Sequence, residues 1–232
     1  EEFRRFEKEG GLPRLSIVRL GNDHTEGTRP GARTPKAMVA ENDVALGRLG
    51  EAISKSRFWP ESAILVREDD AQNGPDHVDA HRSVLLVASP WVKRGTVDST
   101  LYTTSGVLRT IELVLGLPPM SQYDAAAEPL FGAFGKKPDP APYAVRPARV
   151  DIHERNRHDA PGAEASMRMN LVEADLAPER ELNEILWKSV KGKDAVMPPP
   201  IRAAFVRPVE EAEDESDEGE SGTAREDERD ER

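Results

Sequence analysis

Ala63-Ile64-Leu65-Val66-Arg67-Glu68-Asp69-Asp70 runs four apolar residues into an arginine and three successive carboxylates. Apolar character that is continuous over so short a run predicts a strand covered on both faces, as in a parallel sheet. In open α/β sheets the ligand site lies beyond the carboxyl ends of the strands, which is where Glu68, Asp69 and Asp70 fall. Upstream, Leu15 to Leu20 (LSIVRL) is a second β-rich run, followed by the turn residues Gly21, Asn22 and Asp23. Downstream, Ser83 to Ala88 (SVLLVA) is a third, closed by Ser89-Pro90.

Helices are expected between and after these runs. Thr34-Pro35 opens one that continues through Ser54, with Val39, Leu46, Leu49 and Ile53 at near-helical spacing. Thr103 to Leu115 is another, with Val107, Leu108, Ile111, Val114 and Leu115 on one side. Gly116-Leu117-Pro118-Pro119 stops it. Glu1 to Gly10 is a charged, helix-compatible stub, and Glu26 to Pro35 is a long loop. Glu179 to Lys191 is an amphipathic helix using Leu182, Ile185, Leu186 and Val190. Strands interleaved with helices predict an α/β fold. Residues 138–147 are proline-rich, and residues 151–178 are polar with little periodicity. Ile201 to Val206 suits a short strand or a strap.

Composition narrows the function. The 232 residues are 37% hydrophobic and 32% charged, enough for one domain plus a polar tail. With no cysteine, disulfides and thiolate metal sites are excluded, so any metal depends on oxygen ligands and five histidines. The net charge of −11 is concentrated at one end: residues 210–232 hold 13 acidic and 3 basic side chains. The rest is nearly neutral, which gives no electrostatic case for a nucleic-acid partner. Residues 209–232 are expected to be a disordered acidic tail. The longest apolar runs, such as Val84 to Ala88, are too short to span a bilayer. The chain opens on Glu1 without a signal-peptide pattern, so preceding sequence is expected.

Three of the five histidines lie in two windows, Asn22-Asp23-His24-Thr25 and Glu68 to Arg82. Adjacent carboxylates repel one another unless a cation sits among them, and hard divalent ions favour carboxylate oxygen. The alternative for Glu68-Asp69-Asp70 is a solvated turn. His77 and His81 stand four apart with Asp76 and Asp79 interleaved, after Gly74-Pro75, which favours a loop. Each histidine suits a metal ligand, a general acid or an ordinary loop residue. The number of convergent groups carries the metal reading. Arg82 suits a phosphate clamp, or a partner for Asp76 or Asp79. The Thr25 hydroxyl reads as a turn group bonding backbone rather than a nucleophile. His153 and His158 read as ordinary. No nucleophile elbow, phosphate loop or dinucleotide fingerprint is present.

NDHT (22–25), EDDAQ (68–72) with GPDHVDAHR (74–82), and GLPPM (116–120), in their surrounding runs from about Leu12 to Tyr143, resemble the bacterial phosphoesterase family. LNEILWKSVKG (182–192) is also similar. That family is related to phospholipase C and acid phosphatase enzymes and belongs to the alkaline phosphatase superfamily. The resemblance implies a central, largely parallel sheet flanked by helices. It implies hydrolysis of phosphate esters through a phosphoryl-enzyme intermediate, with one or two divalent metals. Zinc, manganese, iron and calcium all suit oxygen and imidazole ligands.

Carried onto this chain, the resemblance makes Asp69 and Asp70 a metal-binding pair. His24, assisted by Asp23, contacts metal or phosphate, and His77 or His81 completes the site. Asn22 and Arg82 would bind substrate. Residues 1–150 would be the carboxy-terminal half of a catalytic domain whose sheet is incomplete on its amino-terminal side. Residues 151–208 would be a polar extension with one packed helix. The nucleophile would lie outside the chain, on an amino-terminal part that in several relatives includes a β-propeller. A periplasmic or secreted location follows for the family. The alternatives are a non-catalytic metal- or ligand-binding module, and a structural protein whose acidic tail recruits a basic partner.

Overall fold

The computed structural model describes residues 1–72, 74–76, 78–173 and 176–202. The acidic tail and the end of the Ile201–Val206 run lie outside these residues. Helix α1 (Glu2–Glu9) ends where Gly10 turns left-handed at φ 90°. Its Phe3 ring meets Phe58 edge-on, with centroids 6.3 Å apart. Helix α2 (Pro35–Ser54) starts as the sequence predicts: the Thr34 hydroxyl accepts the amide of Ala37 at 3.3 Å, and proline stands at the first turn. No helix among the described residues is long and apolar enough to cross a membrane.

Strands β1 (Ile64–Arg67) and β2 (Leu85–Ala88) form where expected, but they pair antiparallel, Ile64 opposite Ala88 and Arg67 opposite Leu85. The reason is the connection. Parallel neighbours need a crossover, usually a helix, whereas the described residues between 68 and 84 form no helix, so the chain returns as a long hairpin. Ile64, Leu65 and Val66 are half-buried rather than covered on both faces, and Leu86 is exposed. The strand expected over Leu15–Leu20 does not form. That run is extended, and Ile17 is 90% exposed. It is tied to α2 by a bond from Asn42 Nδ2 to the Leu20 carbonyl at 3.3 Å.

Helix α3 (Thr104–Leu115) has its caps in place: the Thr103 hydroxyl accepts the Gly106 amide, and Gly116 is left-handed at φ 69°. Its buried face differs from the expected one. Gly106, Val107, Thr110 and Glu112 are covered, while Leu108 and Val114 are exposed. The segment 128–130 presses on the small residues. Thr110 Oγ1 donates to the Gly106 carbonyl at 2.7 Å and accepts the Leu130 amide at 2.9 Å. Alanine outranks glycine in a helix by about 1 kcal/mol. Gly106→Ala is nevertheless expected to destabilise, by about 1–2 kcal/mol in urea unfolding, because its Cβ would overlap the backbone carbonyl of Glu128. A stabilised variant would show that 128–130 does not pack there.

Short helices α4 (Gln122–Ala125) and α5 (Ala163–Arg168) precede α6 (Glu179–Lys191). Leu182 and Ile185 of α6 join Met169 and Leu171 in a buried cluster, with Leu186 against it, while Val190 at the helix end is exposed. The region read as a polar extension therefore holds an apolar core of its own. It is also tied to the front of the chain. Asn183 Nδ2 donates to the Gln72 carbonyl at 2.7 Å, and the Ala80 amide to the Ile201 carbonyl at 2.7 Å, so the backbone at Ile201 is tied to the loop before β2 while its side chain is exposed.

The longest-range ties hold the loop 25–35. Asn156 is buried, and its Nδ2 donates to the carbonyls of Gly27, Arg29 and Arg33 at 3.1–3.2 Å. Its backbone bonds Ala32 and Gly31. Buried Ser166 accepts the Thr28 amide at 3.0 Å, and Thr28 Oγ1 donates to the Pro161 carbonyl at 2.7 Å.

Candidate functional site

Asn22, Asp23 and His24 form a single 3₁₀ turn packed against α2. Asp69 and Asp70 follow β1, both exposed. Asp23 and Glu68, 45 positions apart in sequence, come within hydrogen-bonding reach of each other when one is protonated. Burial, then Asp23, then Asp69 and Asp70 push the Glu68 carboxyl above its ordinary range. The turn and the strand end thus approach one another at Asp23 and Glu68.

Among the described histidines, His81 is engaged with a different carboxylate. His81 Nδ1 lies 2.8 Å from Asp79 Oδ1 and is 44% exposed. His24 is exposed, and His77 lies outside the described residues. Among the described residues no three His, Asp or Glu side chains come together in a geometry that would hold a metal ion. The donors that do approach one another are carboxylate oxygens. Their chemistry suits a hard divalent cation, although their spacing closes no ligand shell.

Arg82 takes one of the roles the sequence leaves open. Its Nε donates to both oxygens of Asp76 at 3.0 Å. Asp76 also accepts the amides of Val78 and Asp79 at 2.6 and 2.9 Å. The Val78 amide most of all, with Arg82 and the Asp79 amide, lowers the Asp76 carboxyl to about 2. This carboxylate staples the turn before β2. Asn22 is likewise engaged, donating its Nδ2 to Oε2 of Glu41, which also receives Arg33 Nη1.

Thr25 sits at φ 61° and ψ 168°, a region that a β-branched residue enters only when its surroundings force it. Its side chain is buried, and Oγ1 accepts the Gly27 amide at 3.3 Å, which is the turn role expected of it. The forcing neighbours are the buried ties on the loop 25–35. Sequence reading missed the Asn22–Glu41–Arg33 chain, and the i, i+8 spacing of Arg33 and Glu41 gave little signal for it. Comparison with protein-family models, curated proteins and solved structures finds no match.

Proposed function

We propose that this chain contributes the metal- and phosphate-binding side of a metal-dependent phosphoesterase. In this reading Asp69 and Asp70, with Asp23 and His24, hold one or two divalent ions. His77 or His81 serves as an acid or a further ligand. The nucleophile and a largely parallel central sheet are supplied by amino-terminal sequence outside residues 1–232. Bound metal would polarise the phosphoryl oxygens of the ester.

The observation that supports the reading is the approach of Asp23 to Glu68, the residue just before Asp69 and Asp70. A carboxyl such as Glu68, held above its ordinary range by burial and by a neighbouring carboxylate, is one that a cation would relieve. The apolar run Leu15–Leu20, extended and without a strand partner, supports the idea that further strands belong beside it.

The test is metal analysis, then hydrolysis of aryl monoesters, diesters and phospholipids, with the nucleophile-bearing sequence included. Bound divalent metal and metal-dependent release of phosphate or alcohol are expected. Turnover that is unchanged by chelation would end the proposal. A second reading, a module that binds metal or ligand without turnover, is favoured by the engagement of Arg82 and Asn22 with Asp76 and Glu41. It predicts metal uptake with no hydrolysis of any ester.

A further inference from the structure

We propose that the cleft between residues 19–22 and α2 is an anion subsite, in which Arg19 and Arg48 hold a phosphate group of a small molecule. The cleft has a volume of about 490 Å³. Glu41, Val44, Ala45 and Arg48 recur at spacings of three and four, so one face of α2 forms a wall. Arg19 to Asn22 form the opposite wall, with Ile152 beside them. The bond from Asn42 Nδ2 to the Leu20 carbonyl ties the two walls together.

The charge balance is what points to an anion. Glu41 is the one acidic residue lining the cleft, and Asn22 and Arg33 already engage it. Arg33, Arg82, Arg94 and Arg109 each have a carboxylate partner. Among the described residues Arg19 and Arg48 have none. Two unneutralised guanidinium groups on one cleft offer the planar, multiple-donor recognition that phosphate oxygens fit. The space exceeds a bare phosphate, and Leu20, Val44, Ala45 and Ile152 give an apolar surface for an organic portion.

The subsite adjoins the candidate site, since Asn22 lines the cleft and Asp23 approaches Glu68. It deepens the phosphoesterase reading and rests on it for its role. The substrate class becomes small molecules with two phosphate groups, one at the reacting centre and one between the arginines.

Pyrophosphate titrated calorimetrically into this chain, in EDTA and at low salt, tests the cleft without metal or turnover. Wild type is expected to bind, and Arg19→Gln with Arg48→Gln to weaken binding by roughly tenfold or more. Arg19→Lys with Arg48→Lys should recover part of the loss, by charge without the planar fork. Arg168→Gln with Arg180→Gln removes the same charge from exposed positions and should leave binding unchanged. No binding by wild type, binding that survives the Arg19/Arg48 glutamine pair, or an equal loss in the Arg168/Arg180 pair would overturn the subsite. Because metal-dependent ester hydrolysis is measured separately, either idea can fail alone.

Discussion

Asp69→Asn together with Asp70→Asn is expected to lower metal-dependent ester hydrolysis by at least about 10³-fold, once the nucleophile is present, with the fold intact. Both side chains are exposed beyond the end of β1, and asparagine keeps their shape, so packing has no reason to change. What changes is charge. The two carboxylates after Glu68 are neutralised, and in the proposed site a divalent ion would lose its strongest oxygen donors. The same substitution removes a minor part of what raises Glu68, after burial and Asp23, and breaks no packing, so the variant should melt no lower than wild type at neutral pH. Lost turnover with a retained melting temperature separates a ligand role from a structural one. Normal turnover by the double variant would remove the carboxylates from the mechanism altogether.

The second large effect concerns stability. Asn156→Leu is expected to cost about 3 kcal/mol, because one buried and two partly buried carbonyls lose the amide donor they share. For a chain of this size that is a fall of about 10 °C in melting temperature. Leucine is close to asparagine in volume, so the loss reports hydrogen bonding rather than a void. A cost below about 1 kcal/mol would show that water or a shifted loop replaces the amide. The variant should also loosen the turn at Asn22–His24. Arg33, whose carbonyl Asn156 holds, carries the guanidinium that meets Glu41 and through it Asn22.

Local signals in the sequence were dependable where the physics is local. Thr34-Pro35, Thr103 and Gly116 mark helix ends because each satisfies or releases backbone groups within one turn. The runs at 64–67 and 85–88 read as strands from their β-rich composition. Their direction of pairing was not legible from hydrophobicity. It follows from the connection, whose described residues form no helix. Leu15–Leu20 has strand composition without a strand, since backbone bonding needs a neighbour that composition cannot supply. On α3 the buried face shifted because Gly106 and Thr110 admit a neighbouring backbone, a contact that an apolar count overlooks.

The candidate site divides in the same way. The carboxylates after β1 were legible as a polar group beyond a strand end, and Asp23 approaches the first of them, Glu68, although no strand precedes it. The partners of Arg82 and Asn22 were not decidable, because a charged side chain with several acids in reach gives no sequence signal for its choice. The grip of residues 154–166 on the loop 25–35 was invisible. It is made by polar groups more than 120 positions away, with no periodicity to betray it.

That grip also sets an order of events during synthesis. The carbonyls of Gly27, Arg29 and Arg33 leave the ribosome well before the amide that will satisfy them. At typical elongation rates the gap is about 10 s, which is long beside the microseconds of local helix formation. Helix α2 can therefore form early, while the neighbouring turn at Asn22–His24 waits open for its clamp. The approach of Asp23 to Glu68 is then among the last contacts of the molecule to mature, and a nascent chain stalled before Asn156 would display it unfinished.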